Sequence, residues 1–211
     1  MMRKRIFSLL MAVVMMLSML SFVTSCASKP PELEQVYDRL VELIEASHEI
    51  NVVMFGAGLP VYPRDTEEDE LLHRYYGFYQ DGREFVTGYS KFGSIEEIKA
   101  AASEIYSEDY CASVFESLFT GYASDVVAGS ILPARYSEDE SRMYQNSKVT
   151  PLVTGTRVYD YATMRIVSPS RGDYLIVEID SYAENKPDEW MTIDLSFVFE
   201  NGNWYLDGPS C

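Results

Sequence analysis

The 211-residue chain carries 33 Asp and Glu against 17 Lys and Arg, a formal charge of −16, and 47% of its residues are hydrophobic. The apolar content is that of an ordinary globular domain and excludes collagenous, low-complexity and wholly disordered chains. The acidity argues against nucleic-acid binding, because a phosphate backbone is repelled. Two His and three Cys are too few for a zinc site of the usual Cys/His kind, and no metal or cofactor is expected.

Arg3, Lys4 and Arg5 form a basic start, and Ile6 to Val23 follows without a charge. This is the order of a secretory signal: positive head, apolar stretch, small residues at the cut. The run ends Val23-Thr24-Ser25-Cys26, which resembles a bacterial lipobox. That resemblance implies cleavage after residue 25 and acylation of Cys26. The competing reading is a retained membrane-spanning helix, since the stretch approaches bilayer length. Each acyl methylene buried in a bilayer contributes ~0.8 kcal/mol, and more than one chain gives stable anchoring. The expected organisation is a signal peptide (1–25), a lipidated Cys26 with a short linker to Pro31, and an α+β domain (32–211). Loss of residues 1–25 removes three basic and no acidic residues, so the mature chain carries −19. The expected location is a cell membrane, held by lipid and facing outside the cytoplasm.

In the mature chain, Pro30-Pro31 precedes a stripe of Leu33, Val36, Tyr37, Leu40, Val41 and Ile44 at helical spacing. The pattern runs to Phe55, where Gly56, Gly58 and Pro60 stop it. His48 lies on this stripe and reads as a core or rim residue, with a catalytic role as the alternative. The acidic run 65–70 lacks the ligand spacing of an EF-hand and reads as a solvated loop, with weak calcium contact as the alternative. Tyr75 to Tyr79 and Phe85 to Tyr89 flank Asp81-Gly82, which predicts a hairpin.

Ser94-Ile95-Glu96-Glu97 is a capping box opening a helix through Ile98, Ala101, Ala102 and Ile105. Ser107 caps a further helix that carries Val114, Leu118 and Phe119 inward and ends at Gly121. Residues 122–151 show no period and are expected to be irregular. Cys111 and Cys211 allow a disulfide in an oxidising compartment; the alternative is two free thiols.

From Gly155 the period becomes two. Strands are expected over Arg157–Val167, Tyr174–Tyr182 and Trp190–Glu200, with an Asn201-Gly202 turn into Trp204-Tyr205-Leu206. Met191, Ile193, Leu195, Phe197 and Phe199 share one face of the third strand; Thr192, Asp194 and Ser196 share the other. An antiparallel meander with one apolar face must be covered, and the N-terminal helices are the elements at hand. The fold class is therefore α+β, helices packed on a curved antiparallel meander.

A resemblance joins this reading. A helix leads to a tyrosine-rich hairpin, then to Tyr89-Ser90-Lys91-Phe92-Gly93-Ser94-Ile95-Glu96-Glu97-Ile98-Lys99 and Ile105-Tyr106-Ser107-Glu108-Asp109-Tyr110. A long-stranded meander then closes on Asn201-Gly202-Asn203-Trp204. This order resembles the IseA family, secreted inhibitors of the DL-endopeptidases that cut cell-wall peptides. The helix-then-meander part is similar to the cystatin-like and NTF2-like superfold. The resemblance implies an inhibitor or binder with an envelope hydrolase, or another envelope protein, as partner.

No Gly-x-Ser-x-Gly, His-Glu-x-x-His or Gly-rich phosphate loop appears. Cys111 lacks the context of a peptidase nucleophile. Asp160, Glu178, Asp180 and Asp194 all fall on predicted strands, on a solvated face or lining a cavity. Tyrosine is abundant, at 16 residues, and suits both interfaces and half-buried strands. The expected partner-binding edge is the hairpin 75–89, with Tyr76 and Tyr79, beside the loop bearing Gly56 and Gly58. Three functions follow: a lipid-anchored binding protein, a small-ligand module with a pocket between sheet and first helix, and an enzyme with a buried carboxylate or His48. The first is the expectation, and the chain is not expected to be an enzyme.

Overall fold

The computed structural model describes residues 29–61, 83–85, 90–123, 131–132, 134–139, 143–146, 149, 151–152 and 156–210. Helix α1 spans Leu33–Met54. It starts just past Pro31 because Glu32 takes the extended cap position, where its N–H donates to Gln35 Oε1 at 2.9 Å. The apolar stripe becomes its buried face: Val36, Leu40, Leu43, Ile44, Ile50, Val53 and Met54 are all buried.

The meander is the second main element. Strands β6 (Arg157–Arg171), β7 (Tyr174–Ala183), β8 (Met191–Glu200) and β9 (Asn203–Leu206) form a four-stranded antiparallel sheet in chain order. Alternation of buried and half-buried residues along β7 follows the pleat. Leu175, Val177, Ile179, Leu195, Phe197 and Leu206 lie on the inner face at 0–2% exposure and join the α1 residues in one core. The α+β class and the helix-covered meander are thus as the sequence predicts.

Two details of the sheet differ. Strand β6 does not stop at Ser168-Pro169 but continues to Arg171, with register shifts at 160/165 and 167/171. It is an edge strand, where a bulge and a proline without an N–H are tolerated. The apolar stripe of β8 is buried only at its middle, since Met191 and Phe199 remain 51% and 43% exposed.

Helices α2 (Ile95–Ser103) and α3 (Glu108–Phe115) close one side. The predicted caps form. Ser94 Oγ accepts from Glu97 N, and Ser107 Oγ accepts from Tyr110 N. Glu97 returns its carboxylate to Gly93 N, one residue earlier than a standard box. A π-helical turn, Glu116–Thr120, carries α3 to Gly121 at φ 77°. The segment between α2 and α3 extends the sheet, because Tyr106 bridges Leu206 in parallel.

Residues 122–151, expected to be irregular, contain short strands. Strands β2 (Tyr122–Ala123) and β3 (Ile131–Leu132) pair with each other. Strand β1 (Arg83–Phe85) pairs with β5 (Met143–Asn146), which pairs with β4 (Tyr136–Glu138). The predicted hairpin partner of β1, residues 75–79, lies outside the described residues; among them, β1 pairs with β5.

Candidate functional site

Three places in the fold gather polar chemistry. The first is the C-terminal end of α1. Backbone carbonyls there have no helical partner. Arg135, only 4% exposed, fills the gap: its Nε donates to Val53 O at 3.1 Å and its guanidinium reaches Gly56 O at 2.5 Å. Tyr136 adds its hydroxyl to Val53 O at 2.7 Å. A buried guanidinium at the negative end of a helix dipole is favourably placed. Gln145 holds the next turn, accepting from Leu59 N at 2.8 Å and donating to Ala57 O at 3.2 Å. Gly58 sits at φ +89°, and a Cβ there would meet Gln145 Oε1 at 2.0 Å. Gly56 is buried, with Val52 Cα at 2.9 Å from an ideal Cβ. Both glycines serve an internal clamp that locks loop 56–59 onto β4 and β5. Tyr76 and Tyr79, the other residues of the expected binding edge, lie outside the described residues, as does Cys26.

The second place is a buried latch for the C-terminus. Ser47 and Asn51 are one helical turn apart on α1, and both meet Ser210 Oγ, at 2.5 and 2.9 Å. Tyr106 donates to Asn51 Oδ1 at 2.5 Å, and Tyr159 donates to Ser210 O. His48 stacks on Tyr159 with ring centroids 5.9 Å apart. Its Nε2 is buried and has no hydrogen-bond partner among the described residues. The histidine therefore stands as a packed rim residue, with no acid or base bonded to its Nε2 among the described residues. Cys111 is a buried free thiol whose Sγ lies 3.8 Å from Tyr106 O, and burial pushes its pKa up. That position gives no thiolate activation. The bridge to Cys211 weighed from sequence is not made at Cys111, and Cys211 lies outside the described residues.

The third place is the outer face of the meander, which register lays out in rows. Val158 pairs with Tyr182, and Trp190 packs tilted against Tyr182, with centroids 4.7 Å apart and ring planes at 58°. Asp160 lies opposite Asp180, which lies opposite Thr192. Arg165, Glu178 and Asp194 form the next row, and Val167, Ile176 and Ser196 the one after. Every side chain of these rows is half-buried or exposed, Trp190 at 55%. Thr192 donates to Asp180 Oδ1 at 2.6 Å, and Arg165 pairs with Glu178. At the far corner, Glu200 and Tyr205 meet α3 and Cys111 around a cleft of about 380 Å³.

All four strand carboxylates named from sequence therefore occupy the outer face, and none is enclosed between sheet and helix. Among the described residues no group of three or more His, Cys, Asp or Glu could hold a metal ion. No described helix is long and apolar enough to cross a membrane. The sequence places Trp190 at the head of the third strand but does not show the aromatic row, because its contact with Tyr182 becomes visible only once the register is fixed. No protein-family model matches the chain, and no curated protein matches it.

Proposed function

We propose that the chain is a lipid-anchored extracytoplasmic binding protein that recognises its partner by its surface. One observation carries this reading. The space between sheet and first helix, where a small-ligand module would hold its cavity, is filled by side chains: Leu40, Leu43, Ile44, Leu175, Val177, Ile179 and Phe197 are all at 0–1% exposure. Among the described residues, side chains packed in this way leave no room for a ligand between the sheet and the first helix. Recognition then falls to the outside of the molecule, and the lipobox-like Val23-Thr24-Ser25-Cys26 supports placing it at the membrane's outer surface. The family resemblance makes a cell-wall DL-endopeptidase the partner class, with inhibition as the outcome.

The test has two arms. Cys26→Ser in the full chain should leave the precursor uncleaved and free of labelled palmitate, whereas the wild type carries the label. The mature protein in detergent micelles, added to a wall-hydrolysis gel, should suppress clearing by DL-endopeptidases. An unlabelled wild type contradicts the anchor. Unchanged clearing contradicts the inhibitor.

A further inference from the structure

The outer face of the meander combines two features that call for the same chemistry. The first is an indole held up to solvent. Trp190 is 55% exposed and braced by Tyr182, and among the described residues no cation lies over its ring. Elsewhere the chain covers such rings itself: Lys99 lies 5.3 Å from the Phe119 centroid, Arg171 5.9 Å from Tyr174. The second is a like-charge pair. Asp160 and Asp180 stand directly opposite across β6 and β7, an arrangement that repels. Their hydrogen bonds come from neutral donors, Ala162 N and Thr192 Oγ1. Among the described residues neither has a basic partner; the ion pair within these rows is Arg165 with Glu178. The acid row and the aromatic row are two residues apart along the strands, roughly 7 Å. A guanidinium or ammonium group spans that distance, with its stem on the indole and its charge between the two carboxylates.

Resting on the reading of the chain as a binding protein, we propose that this face docks a partner protein through a Lys/Arg-bearing surface. The basic side chain seats on Trp190 and Tyr182 and pairs with Asp160 and Asp180. Charge complementarity selects this occupant: the four carboxylates of these rows outnumber their one arginine, Arg171 further along the face is paired with Asp173 and set over Tyr174, and the mature chain is at −19. Such a charged surface also speeds encounter with a cationic partner.

The experiment titrates the mature protein in detergent micelles with a short Arg-Gly repeat peptide, followed by calorimetry and by indole fluorescence. Trp204 is the second of two tryptophans and is buried, so a spectral shift reports Trp190. Asp160→Asn/Asp180→Asn keeps both acceptor oxygens and should weaken peptide binding about tenfold or more, as should Trp190→Ala. Glu34→Gln/Asp38→Asn changes the net charge equally on the exposed side of α1 and should leave binding within about twofold. Thermal unfolding of each variant establishes that it is folded. The proposal is overturned if the α1 control loses as much affinity, if the face variants bind like wild type, or if the wild type does not bind the peptide. It is equally overturned if a neutral N-acetylglucosamine tetramer, and not the peptide, shifts the fluorescence. If Asp160→Asn/Asp180→Asn suppresses wall hydrolysis as well as wild type does, the face proposal falls and the inhibitor reading stands. If face-dependent peptide binding occurs without any suppression, the reverse holds.

Discussion

The two faces of one four-stranded sheet behave as different materials. The inner face is apolar and sealed, with Val177, Ile179 and Phe197 at 0% exposure under α1. The outer face, one residue away along each strand, places Asp160 against Asp180 and Glu178 against Asp194. Strand alternation alone makes this division. The inner face is constrained by close packing, the outer face by backbone pairing and a few side-chain contacts such as Thr192 with Asp180. Residues that cost stability can persist on the outer face without collapsing the fold, and that is where the recognition surface is proposed.

Substitutions should separate the faces by magnitude. Phe197→Ala on the inner face should cost about 3–5 kcal/mol in denaturant unfolding, by loss of transfer energy and a cavity that α1 cannot fill. A loss below ~1 kcal/mol would show a loosely packed inner face. Asn51→Ala removes the acceptor of Tyr106 and a donor to Ser210 in the buried latch. It should cost roughly 1–3 kcal/mol and expose the C-terminal residues to carboxypeptidase. Asp160→Asn on the outer face should change stability by no more than about 1 kcal/mol, in the stabilising direction, as the opposed charge is removed. A marked destabilisation would mean that the outer face is itself structural.

A pH series sharpens the same contrast. Tyr161 donates to Glu45 on α1, and burial first, then the Glu45 carboxylate, raises its pKa; burial likewise raises that of Tyr136. Their neutral forms are favoured in the fold. Stability from these groups is complete below the unfolded tyrosine value near pH ~10 and is lost above it, as the unfolded chain ionises first. Tyr161→Phe should flatten the alkaline limb of a stability-versus-pH curve; an unaltered limb would assign the loss to other groups.

Much of this layout was legible in the sequence where periodicity is long. The stripe from Leu33 to Ile44 and the alternation from Tyr174 to Phe199 carry enough repeats to fix element and face, and Ser94 and Ser107 mark their helix starts. Strands β4 and β5 were not legible because they are only 3 and 4 residues long and spend Tyr136 on the end of α1 and Gln145 on the loop after it, so no apolar alternation survives. Gly56 and Gly58 read as a presented loop; in the structure Gly58 makes the positive-φ turn beneath Gln145 and Gly56 lies tight against the Val52 backbone. The Trp190–Tyr182 contact depends on the register between β7 and β8, which no local pattern specifies.

The most direct test of a sealed inner face and a recognising outer face is site-specific photo-crosslinking in intact cells, with benzoylphenylalanine placed at Trp190 or, separately, at Asp38 on α1. The account predicts a discrete protein adduct at position 190 that disappears in the Asp160→Asn/Asp180→Asn background, and none at position 38. An adduct at 38 without one at 190, or one at 190 indifferent to the aspartates, would contradict it.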